Sequence, residues 1–169
     1  MAPALLTAVS RRYTPRHPDI SYVGRQRFFW TICTYLRRHH FVTGEVVGPV
    51  RSHFFRAAEG ADVEILAYCF MPDHVHLLLE GRTDGSAIEQ SVVRGKQLSG
   101  YWFQKQHGHR LWQKSSWDRA IRDDQDALRV IRYIVANPVR AGLVVRPSAY
   151  PFAGSGHYSR EQLERAFDR

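Results

Sequence analysis

The sequence predicts an α+β fold: one antiparallel sheet with helices packed on one face, followed by a C-terminal helix. Three observations carry this. Apolar runs of strand length recur at Arg27–Tyr35, Glu64–Phe70 and His74–Glu80, the last two separated only by Met71-Pro72-Asp73. Helical spacing of apolar residues marks the stretches between and after them. The 169 residues, 44% of them hydrophobic, suffice for one well-packed domain.

Arg27–Tyr35 (RFFWTICTY) is rich in aromatic and β-branched residues and reads as the first strand. A basic turn, Leu36 to His40, follows. Val46–Glu59 reads as a helix with Val46, Val50, Phe54 and Ala57 on its apolar spacing, closed by Gly60. Glu64–Phe70 and His74–Glu80 form a hairpin. Ser86 is the expected cap of a long helix reaching Gln106, with Ile88, Val92 and Leu98 as apolar points. Leu111–Ile121 reads as extended. Asp124 is expected to cap a helix from Gln125 to Asn137 that Pro138 ends, and Tyr158–Arg169 reads as a short polar helix. The order strand, helix, strand, strand, helix, strand is the split βαβ arrangement of a ferredoxin-like sandwich.

Lys and Arg total 24 against 16 Asp and Glu, a net charge of +8 in which arginine far outnumbers lysine. That balance suits a polyanionic partner, and the guanidinium fork suits phosphates. Four arginines (Arg11, Arg12, Arg16 and Arg25) fall in residues 1–25, which read as a basic, flexible arm. Cys33 and Cys69 each sit in an apolar run and are expected to be buried and reduced. No C-x-x-C pair indicates a zinc ribbon, and no stretch approaches the roughly 20 apolar residues of a membrane span. A cytoplasmic protein with no membrane association is expected.

Two constellations carry chemistry. In Pro72-Asp73-His74-Val75-His76, the histidines stand two apart on a strand, so their rings point to the same face. Two adjacent imidazoles are half of a divalent metal site, although the same spacing also occurs on solvated sheet faces. On the helix Leu128–Asn137, Leu128, Ile131 and Val135 are expected to face the core, while Tyr133 and Asn137, four apart, share a face roughly opposite. Tyr133 is a candidate nucleophile and Asn137 a candidate oxygen ligand. A partly exposed tyrosine with Asn137 as a C-terminal cap fits the same spacing. A phenol with a pKa of about 10 needs a metal, cations or a base to ionise it.

The chain resembles the HUH single-strand transposases and, within them, the REP-associated tyrosine transposases of the IS200-like group. The His-hydrophobic-His motif is one element of the resemblance. The others are Leu111-Trp112-Gln113, Trp117-Asp118-Arg119-Ala120-Ile121-Arg122, the run from Arg132 to Val144 containing Asn-Pro-Val-Arg-Ala-Gly-Leu-Val, and Tyr150-Pro151-Phe152. The match spans about Arg27 to Phe152, and the Asn-Pro run is its most specific part. Arg119 stands where members commonly carry His.

The resemblance implies a divalent metal, Mg or Mn, on His74 and His76, with Asn137 as a polar third ligand and Tyr133 as the single nucleophile. It implies transesterification of single-stranded, hairpin-forming DNA through a 5′-phosphotyrosine, with no small-molecule cofactor and a monomer favoured over a dimer. Residues 1–25 then form the arm, 26–153 the transposase domain and 154–169 a helical tail. Arg119, Arg122, Arg129, Arg132 and Arg140 are the expected phosphate contacts. The alternative is a domesticated, non-catalytic nucleic-acid-binding domain of the same fold, with Phe28, Phe29 and Trp30 stacking bases on the sheet. A metal-dependent nuclease that uses water would share the histidines without needing Tyr133.

Overall fold

The computed structural model describes residues 20–165. Its elements are β1 (Arg27–Cys33), α1 (Gly44–Gly60), β2 (Val63–Met71), β3 (His74–Gly81), α2 (Ile88–His107), β4 (Trp117–Ile121), α3 (Asp124–Arg140), β5 (Ala153–Gly154) and α4 (Arg160–Arg165). The strands form one antiparallel sheet in the order β4-β1-β3-β2-β5, and the first six elements follow the predicted succession.

The sheet separates two cores, and strand parity assigns each residue to one of them. Phe28, Trp30 and Ile32 of β1 and Val75, Leu77 and Leu79 of β3 pack under α1 and α2. Phe29 of β1 and Leu78 of β3 face the opposite way, toward α3. β2 is buried along almost its whole length, so it reads as a continuous apolar run rather than an alternating one. A register shift between Ile65 and Ala67 places both Leu66 and Ala67 on the α3 side. Phe28, Phe29 and Trp30 are all buried, so the sheet offers no base-stacking surface on these three residues.

α1 and α2 touch at a point where only hydrogen fits. A Cβ on Gly95 would lie 2.4 Å from Cδ1 of Phe54, whose ring is held edge-on against Trp112. Gly95→Ala gains up to about 1 kcal/mol of helix propensity. It also overpacks a rigid contact at about 1–3 kcal/mol. The expected result is a net loss of stability, read as a Tm lower by a few degrees in thermal unfolding.

Three helix ends differ from expectation. Ser86 does not cap α2. Its Oγ donates to the Asp62 carbonyl at 2.6 Å and accepts from the Thr83 N–H at 2.9 Å, tying the β3–α2 loop to the start of β2. In α3, Asp123 rather than Asp124 is the cap, accepting from the Asp126 N–H at 2.8 Å. Nor does Pro138 end α3, which runs on to Arg140. Pro138 lacks one helical N–H, but its ring is buried and its carbonyl accepts from Leu143 at 2.9 Å. Gly142 beyond it takes a positive φ of 72°, which glycine adopts without penalty. The Asn-Pro-Val-Arg-Ala-Gly-Leu-Val run is therefore the C-terminal turn of α3 and its exit.

The trailing Tyr150-Pro151-Phe152 element anchors the far edge. The Tyr150 hydroxyl donates to the Phe70 carbonyl at 2.6 Å, and the Phe70 N–H donates to Phe152. Cys69 is buried, and burial pushes its thiol up to about 12; Cys33 is half-buried, and both are free. Residues 1–19 of the expected arm lie outside the described residues. Tyr22, by contrast, packs on Phe28 and donates from its hydroxyl to Asp118 at 2.7 Å. No helix among the described residues is long and apolar enough to cross a membrane.

Candidate active site

His74 and His76 lie on the sheet face that α3 covers, as even-numbered neighbours of Leu78. The β1–β3 register sets Cys33 opposite His74 and Thr31 opposite His76. The two rings turn toward each other, with Nε2 to Nε2 at 3.1 Å.

Each outer nitrogen has a fixed partner. His74 Nδ1 lies 2.6 Å from Asp73 Oδ1, and Asp73 Oδ2 lies 2.8 Å from Arg37 Nε. Burial pushes the Asp73 carboxyl up, but its hydrogen bond to His74 and the nearby cations outweigh this and hold it below the usual carboxylate range. A carboxylate only accepts, so His74 Nδ1 donates to it, and Nε2 is the ring nitrogen turned toward His76. His76 Nδ1 lies 2.9 Å from the Thr31 hydroxyl. His76 is 5% exposed. Burial, reinforced by His74 and Arg37, holds its imidazole neutral, well below the ordinary histidine range.

Two imidazole nitrogens 3.1 Å apart match adjacent ligands of one divalent ion with bonds of about 2.0–2.2 Å. The donor set therefore fits a metal. Asp73 acts through His74 as an orienting carboxylate. Asp73→Asn is expected to weaken Mn binding by roughly 10–100-fold with little change in Tm, measured by calorimetric titration.

α3 carries Tyr133 to this pair. Its buried stripe is Ala127, Val130, Ile131, Ile134, Val135 and Pro138. Ile131 and Val135 face the core as expected, but Leu128 is 47% exposed, because the small Ala127 occupies the core-facing position at that turn. Tyr133 accordingly sits on the flank of the stripe rather than opposite it, half-buried. Its ring lies 5.6 Å from His76 and 5.9 Å from Phe29, centroid to centroid, and the Arg140 guanidinium stands 5.1 Å over it. Asn137, one turn on, is half-buried and makes no side-chain hydrogen bond among the described residues.

The structure thus brings together His74, His76, Tyr133 and Arg140. Among the described residues no cluster of three or more His, Cys, Asp or Glu that could hold a metal ion is present. Arg119 is held by Asp126 through a two-armed contact at 2.9 and 3.3 Å, while Arg122, Arg129 and Arg132 are exposed. Thr31, Arg37 and the orienting role of Asp73 escape a reading of the sequence. Thr31 is opposite His76 only through strand register, although Asp73 adjoins His74 in the chain.

The family model described as "Transposase IS200 like" matches residues 27–135, more than half of the chain, with both histidines and Tyr133 inside. The chain belongs to the IS200-like transposase family. Two curated relatives agree with this. A Haemophilus influenzae protein assigned to the REP-associated tyrosine transposases is 29% identical, with 75% of this chain and 77% of the relative covered. The REP-associated tyrosine transposase of Escherichia coli K12 is 27% identical, with 78% of each covered. A solved REP-associated tyrosine transposase bound to a REP hairpin shares the fold at TM-score 0.66 and 24% identity, covering 85% of this chain and 79% of that one.

Proposed function

We propose that this transposase cleaves and rejoins single-stranded, hairpin-forming DNA by metal-assisted transesterification through Tyr133. The observation that carries the reading is the placement of the Tyr133 ring 5.6 Å from His76, whose Nε2 converges on that of His74. The names of the relatives, and the hairpin in the related structure, support a DNA substrate of this kind.

His74 and His76 would hold Mg or Mn, with Asn137 as a third, oxygen donor one helical turn from the nucleophile. The ion would bind a non-bridging phosphate oxygen and stabilise the charge that builds there. Tyr133 Oη gives up its proton and bonds to phosphorus as the bond to the 3′ oxygen breaks, and that oxygen leaves as a hydroxyl once protonated. Arg140 over the ring stabilises negative charge developing on the phenol oxygen. Attack by a different 3′ hydroxyl reverses the step. The phosphotyrosine conserves the bond energy, so no nucleotide is consumed.

The test is incubation with end-labelled hairpin DNA and Mn, resolved on a denaturing gel. A slow-migrating protein–DNA band that EDTA prevents is expected. Nicked product without that band identifies water as the nucleophile. Binding without cleavage across a panel of hairpins reduces the protein to a DNA-binding domain.

A further inference from the structure

Two segments free of carboxylates meet at the end of the sheet that holds Asp73 and His74. One runs from Thr34 to Gly44 and the other from Gln90 to Trp117, with Asp and Glu absent from both. They are stitched together: the Tyr35 N–H donates to Leu111 at 2.8 Å, and Gln113 donates to Cys33 at 3.0 Å. The Thr34 N–H donates to the Asp73 carbonyl at 2.9 Å, which fixes this joint beside the histidine pair.

The joint exposes cations and aromatic rings together. Tyr35 is 38% exposed, and the Arg110 guanidinium stands 4.4 Å over its ring. Tyr101 is 67% exposed, with Lys105 Nζ 5.5 Å above it. Arg38 and Arg110 are exposed and form no ion pair with a carboxylate among the described residues. Leu36 and Arg37 are both in the left-handed region, at φ 56° and 55°. Such backbone costs on the order of 1 kcal/mol per residue and gathers where function fixes a shape.

The surface at the start of α3 differs. There Asp118, Asp123, Asp124 and Asp126 are interleaved with the arginines, and Arg119 and Arg27 are already paired with two of them.

We propose that the single-stranded flank of a DNA hairpin crosses the β1–α1/α2–β4 joint on its way to the histidine pair, a base stacking on the Tyr35–Arg110 pair and phosphates lying against Arg38 and Arg110. Aromatic platforms set among cations are the surface that single strands select, since every base has a flat face and every linkage a charge. This rests on the reading of DNA as substrate given above.

The test is fluorescence anisotropy on the full chain, in EDTA so that nothing is cleaved, with one hairpin made blunt and one carrying a single-stranded flank. The flank is expected to tighten binding to the wild type. Tyr35→Ala should lose that gain roughly tenfold. Arg38→Glu and Arg110→Glu should lower it similarly and flatten its salt dependence by about one phosphate contact each, while a charge reversal at the exposed Arg56 of α1, Arg56→Glu, should not. Circular dichroism checks that these exposed substitutions leave the fold intact. Equal binding of flanked and blunt hairpins overturns the proposal, as does a loss in Arg56→Glu alone. A flank effect that survives while no Tyr133 adduct ever forms overturns the catalytic reading and leaves this surface standing.

Discussion

Tyr133→Phe is expected to abolish the covalent protein–DNA adduct, by on the order of 10³-fold or more, while hairpin affinity and Tm stay close to wild type. The substitution removes one oxygen. The ring keeps its edge contact with Phe29 and its place beside His76 and under Arg140, so packing on α3 is preserved. The hydroxyl makes no hydrogen bond among the described residues, so no partner is left unsatisfied by its removal. A buried tyrosine with a structural role would behave in the opposite way. Tyr150 gives that contrast within the same chain: its hydroxyl serves the Phe70 carbonyl, so Tyr150→Phe should lower stability and leave chemistry alone. Adduct quantified on denaturing gels, with anisotropy and thermal unfolding alongside, separates the two. Cleavage that persists in Tyr133→Phe would assign attack to water.

His76→Ala is expected to weaken Mn binding by at least about 100-fold, more than the loss of an orienting residue such as Asp73, because it deletes a ligand. Cleavage should fall with it and hairpin binding should persist, since His76 is almost wholly buried and offers no phosphate contact. The change also leaves a void between Phe29 and Tyr133, so some stability is lost, on the order of 1–3 kcal/mol. EDTA treatment of the wild type supplies the arm without a void. It should reproduce the loss of cleavage at unchanged Tm in metal-free buffer. Cleavage by wild type in EDTA would remove the metal from the account altogether.

The element order and the common face of His74 and His76 were legible because periodicity and parity are local properties. α3 lay in plain view as a helix, and the Asn-Pro run pointed to its family. Its placement was not legible. Nothing within Leu128–Asn137 says that the helix crosses the sheet face opposite α1 and α2, and the apolar spacing admits Leu128 as readily as Ala127. The bulge at Leu66 and the Thr31–His76 pairing depend on strand register, which only the assembled sheet fixes. The arginine cluster around Tyr133 was visible in the chain. The acidic residues interleaved with it acquire meaning once Arg119 meets Asp126 in space.

The central claim is that Tyr133 becomes joined to DNA. The most direct measurement is mass spectrometry of the adduct after tryptic and nuclease digestion. Cleavage after Arg132 and Arg140 releases Tyr133–Arg140 as one peptide. This peptide is expected to carry the nucleotide, on Tyr133 and through its 5′ phosphate. Nucleotide on any other tyrosine, or cleaved DNA with no modified peptide, would contradict it.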